Sequence, residues 1–427
     1  MHRTLPKAPA TQLSRFRSPL RGEASGPLAG VKALDLSAYI AGPYGCTLLA
    51  DQGADVIKVE PPGGDNLRQY PSTLDRENRA FLGVNRSKQG IVLDLKQPAG
   101  LAVLHDLAAE ADVLVHNFRP GVPERLHIDY ETLQALNPRL IYCAVTGYGE
   151  QGPMRFKAGY DQVLQAMTGM CVLQGKRDGP PELTYGSPVD YYAAAMVAAG
   201  VASALFERER SGTGQYVGVS LLRSALAMQS ARMIKAEAES HDIARDMRSG
   251  GITGLHPTAE GYLYLSANTP HFWEELCRLI GLEELAADER FDTVRKRAQA
   301  TGEILPRLRD RLATRTAREW EQILGDAVPC SIVRPVEDMF DHPQVLEEDM
   351  MATIPHETLG TYRGFAVPIK FSRTPSGTPF AAPAHGQDTG RLRSSQNSGS
   401  GPSSSSSSSS GSGSGSGSGS SSNSSRG

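Results

Sequence analysis

The stretch VKALDLSAYIAGPYGCTLLADQGADVIKVE, residues 31–60, decides how the rest of the chain is read. A nearly continuous apolar run at 31–36 meets a turn of small residues, a helical pattern over 43–52, and a second β-rich run at 55–59. Apolar runs without alternation belong to strands buried on both faces, and a strand, helix and strand in so short a span make a parallel pair. Outward from this unit the pattern recurs, with strands at 91–95, 112–115, 140–145 and 216–220 and helices over 98–110 and 190–210. The fold class expected is α/β, a parallel sheet with helices on both faces.

The texture changes after Leu222. Helical stretches at 223–248 and 271–280 flank a glycine-rich break, SGGITG at 249–254, and a strand at 261–267; a further helical region spans 295–325. This predicts a smaller α+β domain over 223–327, after a large α/β domain over 28–222. From Val328 the chain becomes proline-punctuated, and 328–393 is expected to return to the large domain. The Ser/Gly-rich tail, 394–427, cannot bury enough apolar surface to offset the entropy of ordering. The leader, 1–27, is read as unstructured. It carries Arg3, Lys7, Arg15, Arg17 and Arg21 with no acid before Glu23, which suits either an organelle transit peptide or a plain leader. The compartment expected is cytoplasmic, or mitochondrial if the leader is a targeting segment.

The 427 residues hold 44 Lys+Arg against 47 Asp+Glu, a net charge of −3, without the basic excess of a nucleic-acid binder. The five cysteines are dispersed and never form CxxC, which argues against a disulfide framework or a zinc site and for a reducing compartment. The longest nearly apolar stretch, 193–206, falls short of the roughly 20 residues that span a bilayer, so no membrane partner is expected.

Several chemistries lack their residues. GxGxxG would need glycine at Ile40, although Gly42, Gly45 and a strand-ending Glu60 stand where a dinucleotide fold would have them. Gly42-Pro43 reads instead as helix initiation with Pro at the first position. There is no HExxH, no GxSxG, and no Lys-Ser/Thr pair in SGGITG, which reads as a lid or a domain connector. Polar groups at the carboxyl ends of strands are better candidates: Lys96, then Asn117, Phe118, Arg119 and Arg125 in HNFRPGVPER. The cations could hold phosphates and Phe118 could stack on a base, or all could be solvated loop residues. Asp161 and Asp190 each precede or open a helical pattern. For both, capping is the plain reading; for Asp190, a nucleophilic carboxylate kept ionised by helix N–H groups is the other.

The ordered succession of LDLSAYIAGPYGCTLLADQGADVIKVEPPGGD, NRSKQGIVLDLK, HNFRPGVPERL, NPRLIYCAVTGYGEQGP, GYDQVLQAMTG, DGPP and VDYYAA resembles the class III CoA-transferases, the formyl-CoA transferase and carnitine CoA-transferase group. VPC at 328–330, DHPQV at 341–345 and HGQDT at 385–389 add landmarks, so that the resemblance covers 30–389. It implies a Rossmann-like large domain plus a smaller domain, assembled as an interlocked homodimer. The activity implied is transfer of CoA from an acyl-CoA thioester to a free carboxylic acid through covalent intermediates on Asp190. CoA thioesters are then substrates, and no cofactor is permanently bound.

CoA contacts carried over by the resemblance fall on Ile40, Ala41, Leu93, Asp94, Leu95, Lys96, Asn117, Phe118, Arg119, Arg125 and Lys157. Gly250 and Gly251 fall in the family's acyl-site glycine loop. Pro61 stands where relatives often carry Arg, and Arg68 is a candidate to replace that phosphate contact. Relatives usually continue past HGQDT into closing helices, whereas this sequence runs into RLRSSQNSGSG. Two rivals remain. An α-methylacyl-CoA racemase-like enzyme of the same fold would need His in a GHD motif, where this chain has Gly159-Tyr160-Asp161; a CoA-binding protein impaired in turnover is the other.

Overall fold

The computed structural model of the chain describes residues 15–20, 22, 25–174, 179–238 and 252–391. Its large sheet has six parallel strands, β1 (Lys32–Asp35), β2 (Asp55–Glu60), β3 (Lys88–Val92), β4 (Val113–His116), β5 (Ile141–Thr146) and β6 (Tyr216–Ser220), in the order β3-β2-β1-β4-β5-β6. The helices of this region are α1 (Ala41–Asp51), α2 (Arg79–Asn85), α3 (Pro98–Glu110), α4 (Val122–Arg125), α5 (Tyr130–Leu136), α6 (Asp161–Met167), α7 (Pro188–Ser211) and α8 (Leu221–Met228). Alternate strand residues serve opposite faces. Ala33, Val115, Ile141 and Cys143 pack with Leu49 of α1 and Val197 and Val201 of α7, whereas Leu34, Ile57, Leu114 and Tyr142 pack with Leu104 and Leu107 of α3 and Leu133 of α5. Strands apolar on both faces follow directly, which is why the sequence shows runs rather than alternation.

The helix pair α1 and α7 positions the site. At Gly45 a Cβ would come within 2.7 Å of the Val197 side chain, so glycine permits this close approach. Both helices lie on one face although β1 to β2 and β5 to β6 step in opposite directions across the sheet. The last crossover therefore has the opposite hand to the first, against the strong right-handed preference of such connections. By length and composition α7, at 24 residues, could cross a bilayer, longer than the 193–206 run suggested. Here Val189, Ala193, Val197, Val201 and Ala204 of α7 are buried in the protein core.

The second region has its own sheet, β7 (Gly254–Pro257), β8 (Tyr262–Leu265) and β9 (Cys330–Ile332), antiparallel in that order. Helices α9 (Pro270–Ile280), α10 (Glu283–Ala287), α11 (Val294–Gln299), α12 (Thr301–Leu312) and α13 (Ala317–Leu324) enclose a core with Trp273, Leu276, Phe291, Leu308 and Trp320. The expected helical region 295–325 is thus three helices, the last opened by a Thr316–Glu319 capping box. The expected helix over 223–248 is α8 alone, ending at Met228 before a 3₁₀ turn at Ser230–Arg232; residues 239–251 lie outside the described residues.

A hairpin, β10 (Met351–His356) with β11 (Gly360–Phe365), precedes a segment that closes the free edge of β3. Asp388 accepts from Gly90 N–H at 2.9 Å and donates its own N–H to Gly90 O at 2.8 Å, and Thr389 Oγ1 accepts from Val92 N–H at 3.0 Å. An unpaired sheet edge is thereby satisfied. Part of the expected leader is packed too: Phe16 is fully buried in the α3 face, and Arg15 pairs with Glu110 at 2.6 Å.

Candidate active site

The strand order reverses between β1 and β4, and open α/β sheets bind ligands beyond the carboxyl ends of strands at that point. Asn117 joins the two loops there: its Nδ2 donates to Ala38 O at 2.7 Å and its Oδ1 accepts from Ala38 N–H at 2.9 Å. Tyr39 adopts φ 67°, and its N–H reaches Asp65 Oδ1 at 3.3 Å. Ile40 and Ala41 follow at the start of α1, which begins two residues before Pro43, not at it. No glycine fingerprint is needed, because side chains rather than a bare backbone turn hold this loop.

Beneath it lies a buried ionic cluster. Lys88 Nζ bonds Asp35 at 2.8 Å, Pro43 O at 2.7 Å and Asn85 Oδ1 at 2.9 Å, while Lys58 bonds Asp65 at 2.9 Å and Ser37 O at 2.9 Å. Burial alone would raise the Asp35 carboxyl, but Lys58 and Lys88 hold it down at about 2. Glu60, the strand-ending acid, is likewise structural. Arg68 grips it at 2.8 Å with two donors, donates to Pro383 O at 2.9 Å, and lies 3.6 Å over the Phe81 ring. Arg68 is spent on the scaffold, so the expected replacement of a phosphate contact there is not supported.

The other predicted CoA residues divide by environment. Leu93 is core, and Asp94 Oδ1 accepts from Lys96 N–H at 3.0 Å in the turn that leads to α3. Leu95 packs beside them, partly buried. These four residues lie beyond β3, which runs over Lys88–Val92, earlier than the strand expected at 91–95. The buried polar Lys88 and Gln89 concealed the strand's start. Phe118 stacks on His116 with ring centroids 5.4 Å apart. Lys96, Arg119, Arg125 and Lys157 are exposed, and among the described residues no ion pair holds them. Gly250 and Gly251 lie outside the described residues.

Asp190 stands in the first turn of α7, partly buried, and among the described residues no hydrogen bond holds its carboxylate. The helix-end N–H groups go elsewhere. Pro188 has none, Val189 and Asp190 donate to Asp161 Oδ2 at 2.7 and 3.0 Å, and Tyr191 donates to Ser187 O at 3.2 Å. This corrects the expectation that Asp190 caps its helix or is held ionised by it: Asp161 is the cap. Burial, with the Asp161 charge second, pushes the Asp190 carboxyl up to about 7. Near neutral pH it is an ionisable, unengaged carboxylate in a partly dry setting, which suits a nucleophile or a base better than a cap.

Tyr160, just before Asp161, meets Tyr39 edge to face at 5.7 Å, which brings the α6 start to the β1 loop. A hydrogen bond donated to Tyr39 raises the Tyr160 phenol above its ordinary value. Sequence reasoning missed this pair and the Asp161 contacts; the signal available was the adjacency of Tyr160 and Asp161 in GYD.

A twofold-wound sheet of order 3-2-1-4-5-6 with an unengaged carboxylate at a helix start near its switch point defines an α/β enzyme. Residues 28–389 match CoA-transferase family III, and the chain belongs to that family. It is a CoA-transferase, of a family whose substrates are CoA thioesters. Similar proteins include succinyl-CoA:glutarate CoA-transferase of Mus musculus, 31% identical over 88% of this chain and 91% of the relative. Acetyl-CoA:oxalate CoA-transferase of Acetobacter aceti is 34% identical over 76% and 85%. Among solved structures, Rv3272 from Mycobacterium tuberculosis superposes with TM-score 0.75 at 30% identity, covering 86% of this chain and 99% of that one. A CAIB/BAIF family protein from Brucella suis covers 87% and 99% at 29% identity, also with TM-score 0.75.

Proposed function

We propose that CoA passes from an acyl-CoA donor to a free carboxylic acid through covalent intermediates on Asp190. The observation that carries this reading is the Asp190 carboxylate, partly buried at the start of α7 and, among the described residues, free of hydrogen bonds. One carboxylate oxygen attacks the thioester carbonyl carbon, the C–S bond breaks, and CoA leaves as thiolate with a mixed anhydride left on Asp190. The thiolate then attacks the aspartyl carbonyl carbon, releasing the donor acid and forming an aspartyl-CoA thioester. The acceptor carboxylate attacks that carbon and expels the thiolate, which finally takes the acceptor acyl group and frees Asp190. Each bond broken is matched by one of comparable energy, so the cycle draws on no outside energy source. No permanently bound cofactor is part of this scheme.

The exposed cations Lys96, Arg119, Arg125 and Lys157, with Asn117 and Phe118 between them, are the candidates to receive the CoA nucleotide. The relatives named for glutarate and oxalate make dicarboxylic acids the first acceptors to assay. The racemase-like reading is weaker, because a phenol raised by its Tyr39 hydrogen bond is a poor base where that chemistry needs His. An interlocked homodimer is part of the proposal, supported by the exposed apolar side chains Tyr191, Met196 and Phe206 on α7.

Asp190→Ala tests the reading. Exchange between acyl-CoA and carboxylate should fall to background while CoA binding by calorimetry is retained, and hydroxylamine should trap an Asp190 hydroxamate only in the parent protein. Undiminished exchange by the variant would remove Asp190 from the mechanism.

A further inference from the structure

A carboxylate at the third position of a helix is ordinarily drawn to the orphan N–H groups of the first turn, where it is stabilised and made less reactive. In α7 the donors from Pro188 onward are already accounted for. Pro188 brings no N–H, Asp161 Oδ2 accepts from Val189 and Asp190 at 2.7 and 3.0 Å, and Tyr191 N–H closes on Ser187 O at 3.2 Å. Ser187, the N-cap residue, sits at φ 59° and makes no side-chain cap. Asp161 is 1% exposed and is itself held, because Gln165 Nε2 donates to its Oδ1. Gln165 is fixed in turn by Thr184, accepting its N–H at 2.9 Å and donating to its carbonyl at 3.1 Å. Two residues of α6, Asp161 and Gln165, thus fix the backbone on both sides of Ser187 through a connected set of bonds.

We propose that Asp161 is a positioning residue for Asp190: by occupying the backbone donors that open α7, it denies them to the Asp190 carboxylate and leaves that group aimed outward and available for attack. The claim rests on the covalent role proposed for Asp190 and goes beyond it, since Asp161 touches no reacting atom. It also gives a reason for two acids lying close together with, among the described residues, no cation paired to either. The titratable groups facing Asp190 from the packed elements are Asp161 of α6, Tyr191 of α7 itself and, through the Tyr44–Tyr191 ring contact at 5.0 Å, Tyr44 of α1. Of these, Asp161 brings the negative charge.

The test is the pH profile of kcat/KM for Asp161→Asn beside the parent protein, with circular dichroism to confirm folding. The parent should show an acid limb near pH 7, where Asp190 ionises. In Asp161→Asn the charge is gone and the amide nitrogen no longer accepts from Gln165, which slackens the hold on the α7 donors, so the limb should move acidward by about one pH unit, with kcat lowered about tenfold at high pH and KM little changed. A merely structural Asp161 would lower activity at every pH and leave the limb in place, and that result overturns the proposal. Should Asp161→Asn fail to fold, Gln165→Met provides the second variant. It keeps the Asp161 charge while loosening the Thr184 tether, and should lower kcat with the limb unmoved; an unaltered kcat there counts against the positioning chain. Asp190→Ala run in parallel separates the failures, because exchange surviving in that variant sinks the covalent reading itself, whatever Asp161 does.

Discussion

Asp35 and Asp190 are both carboxylates withdrawn from water near the same end of the sheet, yet their surroundings push them in opposite directions. Burial raises each of them; at Asp35 the ammonium groups of Lys58 and Lys88 outweigh it and hold the carboxyl at about 2, whereas at Asp190 the Asp161 charge adds to it and the carboxyl rises to about 7. Asp35 lies in a set of buried charges that are paired and hydrogen-bonded, so it is part of the scaffold. Asp190 is charged at a cost, which folding alone would not select. The contrast separates a structural carboxylate from the one proposed to react by its partners rather than by its depth.

The largest effect expected from breaking this contrast is at Asp35. Asp35→Asn leaves two buried ammonium groups short of their shared counter-charge, and should cost about 3 to 5 kcal/mol in urea denaturation at pH 7. The sign with pH follows from the lowered carboxyl. Its stabilisation is complete above the ordinary aspartate value of 3.8 and is lost as pH falls through about 2, so parent and variant should converge in strong acid. A loss under about 1 kcal/mol at pH 7 would show that the cluster is not the support of the β1 loop.

Asp190 should behave in the opposite sense. A carboxyl raised in the folded state favours its protonated form, so the native protein loses stability as pH rises from the ordinary value of 3.8 through about 7. Asp190→Asn removes that cost. The variant should be more stable than the parent at pH 8, by on the order of 2 to 4 kcal/mol, and equal to it at pH 4 or below. Thermal melts across that range measure the difference. A variant less stable than the parent at pH 8 would mean that Asp190 is an ordinary helix cap, and the distinction from Asp35 would fail.

How much of this was legible in the sequence depends on whether a residue's role is set by its neighbours along the chain. Strands such as Ile141–Thr146 announce themselves by local apolarity, and β6 begins and ends as read. β3 did not, since Lys88 and Gln89 read as surface residues until Asp35, Asn85 and Phe16 are known to meet them. The helix expected over 223–248 overshoots because propensity alone continues where α8 stops. Asp190 was found through resemblance, and its open state depends on Asp161, 29 positions away, whose contact with Val189 and Asp190 no periodicity encodes.

The division between spent and available groups extends to cations, and Arg68 makes the smallest and most discriminating test. Its guanidinium is committed to Glu60, the Pro383 carbonyl and the Phe81 ring, whereas Arg119, Arg125 and Lys157 are exposed and, among the described residues, without ion pairs. Burial would raise the Glu60 carboxyl, but Arg68 bonds hold it below its ordinary value, so removing the guanidinium leaves a buried acid undercompensated. Arg68→Met keeps contact with Phe81 and deletes the charge; stability should fall by about 1 to 3 kcal/mol, with KM for the acyl-CoA unchanged. Arg119→Met should do the reverse, raising KM and sparing stability, because a solvated guanidinium contributes little to folding and much to holding phosphate. If instead Arg68→Met raises KM while stability stands still, Arg68 serves the nucleotide, and partner count in the free protein is no guide to which cations the substrate uses.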